Sequence, residues 1–185
     1  MKALLIAYCL LPLAYCFSQG TWTQKADFGG GLRTDAVGFS IGTKGYVGTG
    51  GTSDFWEWNQ ATDTWTQKAN FPGGSRNEAV GFSIGTNGYI GTGSNGTNLL
   101  NDFWEWNQTA NSWIKKSNFG GTPRSEAVGF SIGNKGYIGT GWDSIGAKKD
   151  FWEWDQNTDT WTQKTPFGGS ARGPAEVSLL AIRVT

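Results

Sequence analysis

The sequence predicts an all-β fold made of one four-stranded unit repeated along the chain, and three observations carry that expectation. The pentapeptide DFWEW occurs at 54–58, 102–106 and 150–154. Trp65, Trp113 and Trp161 follow at equal steps of 48 residues, whereas the step from Trp22 to Trp65 is 43, with the five missing positions falling between Tyr46 and Asp54. Aromatic residues make up 15% of the chain and glycine fills 29 positions, a mixture suited to twisted strands joined by tight turns. A period near 50 built from short aromatic strands is that of a β-propeller blade, and the shortened step removes loop while leaving the framework intact.

Residues 1–18 stand outside the repeat. Lys2 followed by the apolar run 3–14 reads as a secretory signal peptide, too short to span a bilayer, with cleavage expected before Gln19. Leu13-Ala14-Tyr15-Cys16 has the outline of a lipoprotein box, but Tyr15 is bulky where a small residue is wanted, so lipid anchoring at Cys16 is the minor reading. The chain's two cysteines, Cys9 and Cys16, both leave with the leader, and stability must then come from packing. The expected location is secreted, cell-surface or periplasmic, with no membrane insertion after cleavage. Residues 19–185 carry 14 basic against 15 acidic side chains and no basic run. Binding to nucleic acid, which draws its affinity from neutralised phosphates, has no electrostatic support in such a chain.

Residues 19–185 divide into blades at about 33–68, 76–116 and 124–164, and the third shows the pattern most clearly. Its first strand is expected at 127–132 (AVGFSI), followed by a glycine- and asparagine-rich hairpin turn at 133–136. The second strand is expected at 137–141 (YIGTG), then a longer loop at 142–149, a third strand at 150–154 (DFWEW), a turn at 155–159 (DQNTD) and a fourth strand at 160–164 (TWTQK). Alternation puts Trp152 and Trp154 on one face of the third strand and Phe151 and Glu153 on the other, so large apolar groups point both ways. A sheet sandwiched between neighbours accommodates this. The first strand, with its glycines, belongs innermost near a crowded axis, and the fourth outermost.

These residues resemble the kelch-repeat family of β-propellers. The matching pattern is an arginine before the inner strand, a glycine-flanked tyrosine in the second strand (GYVGTGG, GYIGTGS, GYIGTGW), an acidic residue opening the third, and tryptophan in the fourth (DTWTQK, NSWIKK, DTWTQK). The resemblance covers roughly residues 21–172 and implies a ring of six or seven blades. Three complete blades are fewer than a ring requires. Residues 21–25 (TWTQK) are expected to form a lone outer strand, and 175–185 a partial strand of a fourth blade. The residues leave three explanations open: a piece of a longer propeller, a small ring clasped by pairing of the two ends, or self-association through the open end blades.

Strand direction places the segment entering each first strand and the loop between second and third strands at one end of every blade. That end displays Arg33, Arg76, Arg124 and Arg172, with Asp35, Glu78 and Glu126 two positions after the first three, and the loops 94–101 and 142–149. Two roles remain open for these pairs. They form polar contacts around the channel mouth, able to hold carboxylates or sugar hydroxyls, or they tie blade to blade. In kelch-like domains that bind peptides, arginines before the inner strand face the ligand, and this resemblance implies a binding role for Arg76 and Arg124 beside Glu78 and Glu126. Trp142 is the one tryptophan outside the repeating positions, on a loop whose length can vary without harming the core. Its indole is expected either to stack on a sugar or anchor a peptide, or to fold over its own blade.

DQNTD imitates the opening of a calcium loop but lacks the central glycine and distal glutamate, and reads as a turn. The kelch-like copper oxidases need histidines and a cysteine-linked tyrosine, and this sequence has no histidine. No Ser-His-Asp set, thiol nucleophile or zinc cluster can be assembled from it. Neither a cofactor nor a metal is expected. The resulting expectation is an exported, non-catalytic propeller module that binds protein or glycan. Its alternatives are part of a sugar-acting propeller enzyme, as the kelch-like sialic acid mutarotases are, or a structural or adhesive repeat of a larger surface protein.

Overall fold

The computed structural model describes residues 20–173. The expected leader and the expected partial strand at 175–185 lie outside these residues. The described chain is an all-β propeller arc of three antiparallel four-stranded sheets, each running in sequence order from first to fourth strand. Blade 1 comprises β1 (Ala36–Ile41), β2 (Lys44–Thr49), β3 (Phe55–Asn59) and β4 (Thr64–Lys68). Blade 2 comprises β5 (Val80–Ile84), β6 (Asn87–Gly91), β7 (Phe103–Asn107) and β8 (Ser112–Lys116). Blade 3 comprises β9 (Val128–Ile132), β10 (Lys135–Gly139), β11 (Phe151–Asp155) and β12 (Thr160–Lys164). The first strands neighbour one another across blades, β1 beside β5 and β5 beside β9, which puts them innermost.

The second strand starts two residues earlier than its tyrosine suggests. Ile132 pairs with Lys135, so the hairpin turns on Gly133 and Asn134 alone. Gly42, Gly85 and Gly133 open the three equivalent turns with φ of 58°, 59° and 58°, the pattern of a two-residue turn with positive φ at its first centre. Register follows the alternation: Tyr46 sits between Phe39 and Glu57, and Trp58 opposite Trp65.

Residues 21–25 form no strand, contrary to expectation, and Trp22 is fully exposed. Elsewhere this motif pairs with an adjacent FWEW strand, and among the described residues none lies beside 21–25. Only the end of the segment keeps its place: Ala26 N donates to Asp63 Oδ1 at 3.1 Å, Trp65 Nε1 donates to the Ala26 carbonyl at 3.1 Å, and Phe28 packs edge-on against Trp65 at 4.8 Å.

Two hydrophobic clusters make the core, and both lie between blades. One joins Val37, Ile41, Tyr46 and Phe55 of blade 1 to Phe71, Ile90 and Trp106 of the next unit. The other joins Val80, Phe82, Ile84, Tyr89 and Phe103 to Phe119, Ile138 and Trp154. Trp106 meets Phe55 edge-on at 4.9 Å, and Trp154 meets Phe103 at 5.0 Å. Each such buried aromatic contributes roughly 1.5–3 kcal/mol, so blade stacking is the main source of stability.

Candidate functional site

At the end where the first strands begin, Asp35, Glu78 and Glu126 stand side by side around the axis. Glu78 N donates to the Asp35 carbonyl at 3.1 Å, and Glu126 N donates to the Glu78 carbonyl at 3.1 Å. One backbone hydrogen bond at each of the two joints therefore links the acids into a continuous arc. All three hold the left-handed conformation, with φ of 55°, 57° and 59°. That region is sparsely used by residues with a Cβ, and such strain concentrates at functional sites. Burial and the neighbouring charges of Glu78 and Asp35 raise the pKa of Glu126, so it keeps its proton to a higher pH than an ordinary glutamate.

The arginines do a different job. Arg76 and Arg124 are buried, and each holds the aspartate that opens its own blade's third strand: Arg76 to Asp102 at 2.6 and 2.8 Å, Arg124 to Asp150 at 2.6 and 2.8 Å. Arg33 grips Asp54 in the same two-pronged way, at 2.9 Å on each oxygen. Each guanidinium lies over the phenylalanine five residues before it, Phe28, Phe71 or Phe119, at 4.6, 4.7 and 4.9 Å. It also donates to the carbonyl of Thr49, Thr92 or Thr140, at 3.1, 2.9 and 2.9 Å. Those threonines have φ of 61°, 57° and 61°, a costly conformation for a β-branched residue, and the guanidinium fastens them there. The tie to the neighbouring blade is made by backbone: the carbonyls of Arg76, Arg124 and Arg172 accept from Gly50, Gly93 and Gly141 at 2.9, 2.8 and 3.1 Å. The side chains of Arg76 and Arg124 thus belong to the frame beside the acid arc.

Trp142 rides on a rigid hairpin. It exchanges backbone hydrogen bonds with Ser125, 2.9 and 3.0 Å, and Asp143 anchors the loop by accepting from Ile145 N and Gly146 N and pairing with Lys148 at 2.6 Å. The residue is 47% exposed. Around the Cα of Gly173 its indole and Glu126 come together: a Cβ there would lie 2.2 Å from Trp142 Nε1 and 3.0 Å from Glu126 Oε2. Ser94 occupies the equivalent position in blade 2, so blade 3 alone supplies an aromatic platform beside the acids. An open cleft of about 500 Å³ lies under the same loops, lined by Thr122, Lys148, Asp150 and Pro166. Lys148 and Asp150 are already paired with Asp143 and Arg124 and Thr122 donates to Asp143, while the exposed Lys149 also lines the cleft.

DQNTD forms the expected turn. Asp155 pairs with Lys135 and accepts from Asn157 N, while Asp159 accepts from Trp154 Nε1 and Ser117 N. The aspartates that hold the arginines and the phenylalanines beneath them had no role assigned from the residues. Their signal was present in the sequence: a phenylalanine stands five positions before the arginine in all four copies, at Phe28, Phe71, Phe119 and Phe167.

No protein-family model matches the chain, and no curated protein matches it. Among solved structures it is similar to YjhT, with a TM-score of 0.68 at 21% identity, over 76% of this chain and 54% of that one. The chain spans about half the length of that structure. The likeness shows the propeller fold. It also corrects the expectation of a module without catalysis, because YjhT is a sialic acid mutarotase, an enzyme on this fold.

Proposed function

We propose that the chain is the sugar-facing part of a kelch-type propeller, and that its carbohydrate meets the end of the blades where Glu78, Glu126 and Trp142 gather. The observation that carries this reading is the convergence of the Glu126 carboxyl, whose proton affinity is raised, with the exposed indole of Trp142 on its hairpin. An indole face offers a sugar ring a flat apolar surface, and carboxylates accept from its hydroxyls. A carboxyl of raised proton affinity beside a second carboxyl is a pairing suited to general acid–base chemistry at an anomeric centre. One group takes the proton of the anomeric hydroxyl as the bond from that carbon to the ring oxygen breaks, and the other protonates the ring oxygen; closure on the opposite face reverses both transfers. The fold likeness to YjhT supports a sugar as the ligand class. Export by the leader at 1–18 belongs to the same proposal and is checked by finding the chain outside the cytoplasm with Gln19 as its first residue.

The test combines glycan binding with exchange between sugar anomers, followed by NMR. Trp142→Ala should weaken binding about tenfold, the equivalent of ~1.4 kcal/mol. Glu126→Gln should leave binding nearly intact and slow exchange by about 10²-fold or more. Absence of glycan binding by the parent chain, or equal exchange in the parent and Glu126→Gln, refutes the reading.

A further inference from the structure

The joint between blades occurs twice within the described residues, and its two sides can be listed by residue. The socket side, from blade 1 or blade 2, presents Val37 and Phe39 or Val80 and Phe82 on the first strand, with a stacked tyrosine and phenylalanine behind them. The inserting side brings two glycines of its inner strands against the valine and phenylalanine. A Cβ on Gly81 would lie 2.9 Å from Val37 and one on Gly88 2.3 Å from Phe39; at the next joint Gly129 comes within 2.0 Å of Val80 and Gly136 within 2.6 Å of Phe82. It then adds the second tryptophan of FWEW, Trp106 or Trp154, each with no exposed surface.

Both ends of the arc carry one half of this joint. Blade 3 offers the socket: Phe130, Tyr137 and Phe151 are stacked as in the buried copies, with Tyr137 and Phe151 at 5.5 Å and 12°, the values found for Tyr46 and Phe55. Its Ile132 is 56% exposed where Ile41 and Ile84 are 4% exposed. Blade 1 offers the inserting side: a Cβ on Gly38 would meet only the Tyr46 carbonyl at 3.7 Å, and one on Gly45 only Trp58. Trp58 is half-buried although its counterparts are fully covered.

We propose that these halves join between two copies of the chain, blade 1 of each packing on blade 3 of the other, to close a ring of six blades. The residues that meet, VGFSI against FWEW and its glycines, are those of the joints already made, so the fit is continuous with an established interface. The described blades match 54% of the length of a propeller chain, an arc of about half, so two arcs suit one ring. Two identical head-to-tail joints are what closure by a two-fold axis requires. Closure would also set the second copy's Asp35 beside Glu126, extending the acid arc around the mouth. The inference stands on packing and does not depend on the sugar reading.

Native mass measurement should give a dimer. Gly38→Val, which meets open space within its own chain, and Ile132→Asp, at an exposed position, should each give a folded monomer by circular dichroism. Mixing the two variants should restore a dimer, because the intact socket of one still fits the intact inserting face of the other. A monomeric parent chain overturns the proposal, whether 174–185 or further blades of a longer chain cover the faces. A dimer that survives both substitutions, or variants that do not rescue each other, overturns it as well.

Discussion

Each arginine before an inner strand performs three tasks with one planar group: it lies on a phenylalanine, pairs with the aspartate that opens the third strand, and fastens a threonine carbonyl in a strained turn. Burial raises the pKa of Asp102, but the hydrogen bonds and charge of Arg76 outweigh it and hold the group below the ordinary value. Replacing Asp102 by Asn leaves the Arg76 charge buried without its partner, and should cost about 3–5 kcal/mol in denaturant unfolding. Glu126→Gln should cost no stability in the same measurement, since it removes a repulsion. A second residue-level expectation concerns Trp106, whose Nε1 is buried without a hydrogen-bond partner. Trp58 and Trp154 donate to Asp63 and Asp159, both at 3.0 Å, while blade 2 has Asn111 at that place, and its Oδ1 already accepts from Ala69 N. In blades 1 and 3 one carboxylate oxygen takes both donors, Asp63 Oδ1 from Ala26 N and Trp58 Nε1 and Asp159 Oδ1 from Ser117 N and Trp154 Nε1. A charged acceptor holds such a pair more strongly than an amide oxygen, so Asn111→Asp should stabilise the chain by about 1 kcal/mol, read as a rise in Tm.

Among the elements, strands were the most legible and their turns the least. The fourth strand of blade 3 lies at Thr160–Lys164 as its sequence predicts, because TWTQK alternates cleanly between an aspartate-rich turn at 155–159 and a proline- and glycine-containing segment at 165–169. The second strand begins at Lys135, ahead of the expected position, because a glycine with positive φ allows a two-residue turn where four turn-forming residues stand in the sequence. The failure of 21–25 to form a strand teaches the complementary lesson: β-propensity needs a neighbouring strand to act on. Glycine inside the inner strands is a packing requirement. Gly129→Ala would drive a methyl to 2.0 Å from Val80 Cγ1, and should lower stability by about 1–3 kcal/mol in thermal or denaturant unfolding.

For the whole molecule, stability comes from the joints between sheets, blade 2 burying both faces and blades 1 and 3 one each, and the arginine clamps link that stability to pH. The hydrogen bonds of Arg33 lower the pKa of Asp54 despite partial burial, and Arg124 outweighs the effect of burial on Asp150. All three clamp aspartates therefore have folded pKa values below the unfolded value of about 3.9. Their contribution is complete above roughly pH 4 and is lost as the pH falls through the folded values. Unfolding followed by tryptophan fluorescence should show stability falling steeply below about pH 4, and Asp102→Asn should flatten that dependence.

The residues by themselves determined that this is a propeller arc of repeated four-stranded blades with glycine-rich strands inside and tryptophans between sheets, because periodicity and alternation are properties of the chain alone. They also placed Arg76, Glu78, Arg124 and Glu126 at one end of the blades by position in the repeat, and singled out Trp142 by its departure from it. What only the tertiary structure decided is which charged groups are spent within the frame. Arg76 and Arg124 recur beside the acids in sequence, yet they turn inward because Asp102 and Asp150, 26 residues away in each case, lie within 2.6 Å once the blade has folded. A side chain's direction depends on partners distant in sequence, and their meeting depends on loop closure that local pattern does not encode.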